Sequence, residues 1–310
     1  MVACMTAPRN VRPGITWFVT HRSTRRHFLF SPDEAGVVEQ IYWYTTAVFA
    51  KQYGIEVHMA QLLSTHPHEV LTDTTGRLCL FFERRNHAFA NALKVLRGWP
   101  GEVFDKRQAN WVELPTAATV VKESAYTAAN CVAAGLVRTP QRWPGVKVLV
   151  DDMGRRVIKV KRPDLYFRAD NPQWPDEVEL PIVMPALLER AYGSHESCRE
   201  VVQAELDKLV RKAHADNSRK GLGYLGAKRV LKTPHTKRAS SFELFGSRVP
   251  SFSAAGDSTV ARAMLEQRRE FHRAYHQAWQ AWARGDRCVM FPYGTWKMHV
   301  AHGARCHPPP

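Results

Sequence analysis

Apolar and polar positions along the first part of the chain predict strands and helices in turn. Residues 14–22, rich in aromatic and β-branched side chains, predict a strand that opens at Pro13 and Gly14. Further extended segments are predicted over residues 55–73 and 110–114, and helices with a recurring apolar stripe fill the intervals. This order favours an α+β fold in which helices flank an antiparallel sheet.

Capping and stop signals predict where these helices begin and end. Ser31 and Pro32 predict the start of the first helix, with Ser31 as the cap and Pro32 at the first helical position. The second helix is predicted over residues 78–97, with a strongly basic outer face. The third helix is expected to begin after Thr116, a suitable cap, and to stop at Gly135.

Prolines and a polar turn predict a boundary near residue 150. Pro140 and Pro144 are followed by the turn at residues 151–154, a pattern typical of a connection between domains. We therefore expect one domain over residues 1–150 and a mainly helical, basic region over residues 151–310. The elements predicted beyond the boundary are two helices and a closing strand–turn–strand piece, over residues 187–215, 257–285 and 289–300.

The net charge of +15 is larger than the excess of about 2 to 8 charges typical of a soluble domain. Such a surplus favours a polyanionic partner, with nucleic acid first and an anionic membrane surface second. No apolar run is long enough to span a membrane and no signal peptide is recognisable, so a cytoplasmic protein is expected. The six cysteines form no CxxC pair, which argues against a zinc ribbon and favours free thiols.

The motif His66-Pro67-His68 is the first candidate for chemistry. If this segment is extended, residues two apart project from the same face, and both imidazoles converge on a point where they could hold a divalent cation. With 14 histidines in the chain, an HxH triplet can equally arise by chance.

Three polar side chains on the third predicted helix form the second candidate. Lys122, Tyr126 and Asn130 follow i, i+4, i+8 spacing and therefore lie on one helix face. A phenol and an amide one turn apart could point together into an active site. Alternatively, Tyr126 lies at the edge of a helix that packs its apolar side inward.

Taken together, the two motifs resemble a known family. Residues 10–146 are similar to the HUH single-stranded-DNA transposases, in particular the REP-associated tyrosine transposases of bacteria. The matching stretches are ITWFVTHRSTRRHFLF, YGIEVHMAQLLSTHPHEVLTD and AYTAANCVAAGLV followed by RWPGV. The resemblance implies the HUH nuclease fold, which is ferredoxin-like.

The resemblance also implies a reaction and its residues. It implies that His66, His68 and Asn130 hold Mg²⁺ or Mn²⁺ and that Tyr126 is the nucleophile. The implied activity is that of a metal-dependent single-stranded-DNA endonuclease and strand transferase, which acts beside DNA hairpins through a 5′-phosphotyrosine intermediate. Lys122, one turn from Tyr126, is expected either to stabilise the phenolate or grip the phosphate, or to remain a solvated surface lysine.

Thr65, Pro67, Glu69 and Cys131 depart from the family pattern, and two of these departures, Pro67 and Glu69, bear on function. Pro67 has no N–H group to give and is expected to weaken a central strand. Glu69 is expected either to join the metal ligands or to face solvent. These departures favour an alternative function, a domesticated protein that binds hairpins without cutting them. A metal-dependent RNA-processing enzyme on the same sheet is a third hypothesis.

Basic residues predict where DNA is held. Phosphate contacts are expected in the first domain from five arginines: Arg22, Arg25, Arg26, Arg84 and Arg85. Residues 208–248 carry eleven basic and two acidic residues, which indicates either an arm that orders on nucleic acid or a solvated linker. Lys228 and Arg229 are its candidate DNA contacts. The expected protein is nucleoid-associated, either a monomer or a homodimer.

Overall fold

The computed structural model describes residues 8–106, 109–240 and 250–309. The first part contains seven elements: β1 (Ile15–Thr20), α1 (Val37–Tyr53), β2 (Ile55–Leu62), β3 (Pro67–Asp73), α2 (Leu78–Arg97), β4 (Asn110–Glu113) and α3 (Ala117–Ala133). The second part contains β5 (Val157–Lys161), β6 (Glu177–Pro181), α4 (Ala186–Tyr192), α5 (His195–Arg219), α6 (Ala227–Leu231), α7 (Ser258–Ala283), β7 (Met290–Phe291), α8 (Lys297–His302) and β8 (Arg305–Cys306).

The first six elements form a ferredoxin-like βαββαβ unit. The four strands lie in the order β2-β3-β1-β4, and every pairing is antiparallel. Helices α1 and α2 pack against each other on one face, where Glu69 meets Tyr42 of α1 and Arg85 of α2. Helix α3 covers the other face, where His68 meets Asn130. The prediction of an antiparallel sheet flanked by helices is therefore confirmed.

The segment predicted as one extended stretch over residues 55–73 is a hairpin of two strands. Strand β2 ends at Leu62, and β3 begins at Pro67. The turn between them is closed by the Leu63 amide, which donates to the His66 carbonyl at 3.0 Å. Because Pro67 is the first residue of β3, the strand loses little from its missing N–H group. The expected weakening of the strand by Pro67 is therefore avoided by its position at the strand's first residue.

The first helix begins later than predicted, and Ser31 is not its cap. Helix α1 starts at Val37, after Gly36 in the left-handed region with φ 72°. The Asp33 carboxylate accepts from the amides of Val37 at 3.0 Å and Val38 at 2.8 Å, so it satisfies the first free N–H groups of the helix. Sequence reasoning placed the cap at the first polar residue, whereas the glycine turn moves the start five residues onward.

The third helix agrees with its predicted ends. Thr116 caps α3 through its side chain, which accepts from the Thr119 amide at 3.3 Å. At the other end Gly135 adopts φ 69°, and its amide donates to Val132. This helix carries the candidate nucleophile, Tyr126.

The hydrophobic core continues across residue 150. One cluster of buried side chains includes Val120 and Ala125 of α3 together with Ile182, Val202 and Leu206 of the second part. Helix α5 packs along α3, and the β5–β6 hairpin packs on α1. The two regions therefore share one core, and their division into domains at this position stays a prediction.

The β4 edge of the sheet is covered by a segment from the second part of the chain. The Glu113 amide donates to the Ser251 carbonyl at 3.1 Å, and the Ser253 amide donates to the Glu113 carbonyl at 2.9 Å. The amide and the carbonyl of Glu113, the last residue of β4, are thus both paired within the chain.

The β2 edge is covered in the same manner. The Val148 amide donates to the Ala60 carbonyl at 2.8 Å, and the Val183 amide donates to the Val57 carbonyl at 2.9 Å. Both outer strands of the sheet therefore have chain segments along their outer sides.

The second part departs from its predicted elements in two places. The helix predicted over residues 187–215 is divided into α4 and α5 at Gly193, which has φ 78°. The closing strand–turn–strand piece is instead two short strands that pair in parallel, with α8 between them. Helix α7 buries Met264, Phe271 and Ala278. These residues are spaced seven positions apart and lie on one face of the helix, which therefore packs against the rest of the protein.

The cysteines of the described residues form no disulfide bond. Cysteines 79, 131, 198, 288 and 306 are free thiols, whereas Cys4 lies outside the described residues. Within the described ranges, no helix has the length and apolar character needed to cross a bilayer.

Candidate active site

The two candidate histidines lie side by side at the start of β3. Their ring centroids are 4.4 Å apart. His68 is only 2% exposed, whereas His66 lies in the turn before the strand and is half-buried. The Thr65 hydroxyl lies 2.8 Å from Nδ1 of His66, which holds that imidazole in place. The expected convergence of the two imidazoles is therefore present in the structure.

Helix α3 brings two of its polar side chains to His68. Nδ2 of Asn130 is 2.6 Å from Nε2 of His68, and the Tyr126 and His68 ring centroids are 5.6 Å apart. Phe18 of β1 packs against both rings, at 5.8 Å from His68 and 5.9 Å from Tyr126. Tyr126 is 41% exposed, so its hydroxyl-bearing ring is accessible to a macromolecular substrate.

Burial and charge set the protonation states of these groups. Burial lowers the pKa of His68 well below its usual range, and the nearby His66 and Arg22 lower it further. His68 is therefore neutral at physiological pH, with a ring nitrogen available as a lone-pair donor. Burial raises the pKa of the Tyr126 phenol, Glu123 raises it further, and Arg22 opposes both.

Two charged side chains act on the pKa of the Tyr126 phenol: Arg22 lowers it and Glu123 raises it, whereas Lys122 is exposed on α3. Arg22 is the second residue after β1, and its carbonyl accepts from the Asp105 amide at 2.8 Å. Sequence reasoning assigned Arg22 to DNA phosphate only, because its distance from Tyr126 depends on the pairing of β1 with β3.

Glu69 lies on the opposite face of the sheet from the histidines. It is 1% exposed and forms an ion pair with Arg85, whose Nη2 donates to Oε2 at 3.0 Å. The Tyr42 hydroxyl donates to the same carboxylate at 2.5 Å. Neither alternative predicted for Glu69 is therefore correct. It is neither beside the candidate metal site nor in solvent.

This ion pair also corrects the prediction for Arg85. Arg85 is 2% exposed and is enclosed between α1, α2 and the sheet, so in this arrangement it offers no donor to a DNA phosphate. Its neighbour Arg84 is exposed on the outer face of α2. An i, i+1 pair on a helix points in two directions, and the basic pattern alone did not distinguish the outward arginine from the inward one.

Gln61 is a residue of the site that sequence reasoning missed. It is 1% exposed and stands directly opposite His68 in the β2–β3 pairing. Its Oε1 accepts from the Cys131 amide at 3.1 Å, and its Nε2 donates to the Ala128 carbonyl at 3.4 Å. Gln61 therefore joins the sheet to the stretch of α3 that carries Asn130. The only signal in the sequence was a glutamine among apolar residues of a strand.

The side chains present fit a divalent cation. Imidazole nitrogens and an amide oxygen are both ligand types for divalent cations, and His68 is neutral, as a ligand must be. Asn130 presents Nδ2 to His68, and turning the amide over would present Oδ1 there instead. Over the described ranges no three His, Cys, Asp or Glu side chains form a metal-binding group, so this set depends on the amide of Asn130.

The remaining predicted DNA contacts lie in three regions. Arg25 and Arg26 belong to a short 3₁₀ turn over Thr24–Arg26, which begins two residues after Arg22. Lys228 and Arg229 are exposed on α6. Arg25 is exposed and Arg26 is half-buried. Arg84 lies apart from these, on α2.

Comparison with known proteins returned structural matches alone. No family model and no curated protein matches this chain. It is similar to the structure of a REP-associated tyrosine transposase bound to a REP hairpin, with 17% identity and a TM-score of 0.40 over 48% of this chain and 84% of that one. It is also similar to a provisionally named transposase from Deinococcus radiodurans R1, with 16% identity and a TM-score of 0.27 over 35% of this chain and 85% of that one.

Both matches are to transposases, the class that the sequence motifs resemble. The identities and TM-scores are too low to carry an activity over to this chain. The function proposed below therefore depends on the arrangement of its own side chains.

Proposed function

We propose that this protein is a metal-dependent single-stranded-DNA endonuclease and strand transferase that acts beside DNA hairpins through Tyr126. One observation carries the proposal: three side chains surround His68, with Nδ2 of Asn130 at 2.6 Å and the rings of His66 and Tyr126 at 4.4 and 5.6 Å between centroids. A nucleophile, two imidazoles and an amide thus meet on one face of the sheet, below an exposed surface.

In the proposed reaction Oη of Tyr126 attacks a DNA phosphorus. The bond from tyrosine oxygen to phosphorus forms, the bond from phosphorus to the 3′-oxygen breaks, and the 3′-oxygen takes a proton from solvent to become a hydroxyl. The phenolic proton is lost to water. Because the phosphodiester energy is kept in a 5′-phosphotyrosine, a second DNA 3′-hydroxyl can attack it and release Tyr126, which is strand transfer.

His66, His68 and Asn130 are the proposed ligands of Mg²⁺ or Mn²⁺. When bound, the cation would neutralise negative charge at the scissile phosphate. Burial keeps His68 neutral for this role, and Thr65 restrains the imidazole of His66.

Arg22 is proposed to favour the phenolate form of Tyr126. The raised pKa of this phenol opposes reaction at neutral pH, and Arg22 is the group that lowers it. An incoming phosphate beside Arg22 would also be held close to the nucleophile. Lys122, exposed one turn before Tyr126, is a proposed phosphate contact at the rim.

Replacement of Tyr126 by phenylalanine tests the proposal. We expect the Tyr126→Phe protein to bind a dye-labelled hairpin oligonucleotide with unchanged affinity and to form no covalent protein–DNA adduct on a denaturing gel with Mn²⁺. Tyr166, which is 40% exposed, offers a matched control, and Tyr166→Phe is expected to leave the adduct intact. An adduct that survives in Tyr126→Phe contradicts the assignment.

The alternative function is hairpin binding without cleavage. In the same assay this alternative requires that the unaltered protein bind the oligonucleotide and form no adduct at any metal concentration. The features that first suggested it, Pro67 and Glu69, have structural roles instead.

A further inference from the structure

Part of the basic C-terminal segment is paired with the arginine turn that follows β1. The Phe28 amide donates to the Lys237 carbonyl at 2.8 Å, and the Ala239 amide donates to the Arg26 carbonyl at 3.1 Å. These two bonds join backbone segments more than two hundred positions apart in the chain, as a short antiparallel bridge.

Side chains strengthen this bridge. Nδ1 of His27 lies 2.9 Å from the Thr236 carbonyl, and Nε of Arg238 donates to Nε2 of His27 at 2.9 Å. His27 is 8% exposed and packs edge-on against Trp99 at 4.8 Å between ring centroids. A buried imidazole therefore connects the two basic segments.

The arginine turn has a backbone conformation that needs such support. Arg25 and Arg26 both lie in the left-handed region, with φ 47° and φ 59°. For a residue other than glycine this conformation is unfavourable and persists only where surrounding bonds hold it. Hydrogen bonds from Ser23 Oγ to the His27 carbonyl at 2.5 Å and from Ala239 to Arg26 hold the turn from both sides.

The paired segments carry positive charge alone. Residues 22–28 contain three arginines, and residues 227–240 contain five lysines or arginines, with no acidic residue in either stretch. The exposed members are Arg25, Lys228, Arg229, Lys232, Lys237 and Arg238. Together these six side chains form the composite basic surface.

The composite basic surface begins at the candidate active site. The Ser23 amide donates to the Thr65 carbonyl at 2.7 Å, next to His66. Arg22, one residue earlier, lies close enough to lower the pKa of both His68 and Tyr126. A polyanion held on this surface would therefore lead directly to the candidate nucleophile.

We propose that the composite basic surface is a preformed track for the phosphate backbone of single-stranded DNA, in which Lys232 and Lys237 of the C-terminal segment extend the grip of Arg25. This inference rests on the proposed function for the choice of DNA, whereas the surface itself rests on the pairing of residues 26–28 with residues 237–239. The C-terminal segment is thus part of the substrate site and is in position before DNA binds.

The track is expected to determine how strongly the affinity for DNA depends on salt concentration. Each phosphate neutralised on a single strand contributes about 0.7 to the slope of log affinity against log salt, through release of condensed cations. Removal of two such contacts should therefore reduce the magnitude of that slope by about 1.4. A change in fold stability would lower affinity without this specific change in slope.

The test compares two double variants in the Tyr126→Phe background, where binding is free of chemistry. Lys232→Ala with Lys237→Ala removes two side chains of the track, whereas Lys51→Ala with Lys161→Ala removes two exposed lysines on α1 and β5. Affinity for a dye-labelled single-stranded oligodeoxynucleotide with one hairpin is measured by anisotropy over a NaCl series.

We expect the reduced slope in the track variant alone. Equal slopes in the two double variants would overturn the track, as would an RNA of the same sequence bound more tightly than the DNA. The covalent-adduct assay on the unaltered protein is independent of this result. An absent adduct with a reduced slope refutes the nuclease function and keeps the track, whereas an adduct with unchanged slopes does the reverse.

Discussion

His68 and Glu69 are neighbours in the chain, yet they occupy opposite faces of one strand. His68 points towards α3, where it contacts Asn130, and Glu69 points towards α1 and α2, where it pairs with Arg85. A change of register by one residue would exchange a candidate ligand for a buried carboxylate. The Glu69–Arg85 pair therefore helps to specify which face the imidazole serves.

His58 is expected to make the stability of the folded protein depend on pH. Its ring is fully buried, with Nδ1 donating to the Val183 carbonyl at 2.8 Å and Nε2 at 2.7 Å from the Thr72 hydroxyl. Burial lowers the pKa of His58 from 6.5 to about 4. Between these values the unfolded chain binds a proton that the folded protein excludes, so stability falls as pH falls through this window.

We expect the free energy of unfolding to lose about 3 kcal/mol from His58 between pH 6.5 and 4, because each pKa unit corresponds to about 1.4 kcal/mol. Urea unfolding at a series of pH values measures the loss. His58→Gln lacks the titrating group and should show a flatter profile in that window. Parallel profiles for the two proteins would show that His58 is not the responsible group.

At the scale of elements, the site depends on how α3 is seated on the sheet. Gln61 of β2 bonds both the Cys131 amide and the Ala128 carbonyl, so it fixes α3 on either side of Asn130. Buried polar groups that are fully bonded favour one relative position of two elements over its alternatives. Gln61 is in this respect a positioning residue.

Gln61→Leu should slow adduct formation more than it weakens binding. The change keeps the side-chain size and removes the hydrogen bonds from Gln61 to the Cys131 amide and the Ala128 carbonyl, at a total cost of about 1 to 3 kcal/mol. If about half of that cost is expressed as misplacement of Asn130 and Tyr126, the rate of adduct formation falls by about two- to tenfold. Single-turnover kinetics with saturating hairpin DNA measures this rate.

Gln40→Leu is the matched control, because Gln40 lies on α1 and donates to the Lys161 carbonyl, away from α3. It is expected to react at the unaltered rate. Unfolding free energies of both variants separate a general loss of stability from misplacement. If Gln61→Leu loses stability but reacts at the normal rate, Gln61 has a purely structural role.

The sequence predicts the elements of the site better than their connections. The helix bounds of α2 and the cap of α3 follow from local signals at Leu78 and Thr116, and the structure confirms them. The break between β2 and β3, the inward direction of Arg85 and the role of Gln61 all depend on pairing between distant segments. Local patterns carry no information on such pairing.

At the scale of the whole molecule, the core joins the two halves of the chain. Ile158, Leu180, Ile182, Val202 and Leu206 from beyond residue 150 are all buried in the cluster that includes α3. Burial of each such side chain stabilises the fold by about 1.5 to 3 kcal/mol. Five of them together contribute about 7.5 to 15 kcal/mol, which is comparable to the usual net stability of a domain, about 5 to 15 kcal/mol.

A chain that ends at residue 150 is therefore expected to lack a cooperative unfolding transition. A chain that ends at residue 240 keeps α5 against α3 and is expected to retain one. Circular dichroism and calorimetry on the two truncated proteins measure this difference. A sharp transition in the shorter chain would instead favour an independent first domain, as the sequence suggested.

The segments that lie along β2 and β4 have a consequence for self-association. Along their outer sides, Glu113 of β4 and Val57 and Ala60 of β2 are already bonded to other segments of the same chain. A second molecule that adds a strand to this sheet would have to displace those segments first. A dimer of this protein is therefore expected to form through side-chain contacts rather than through a continuous sheet.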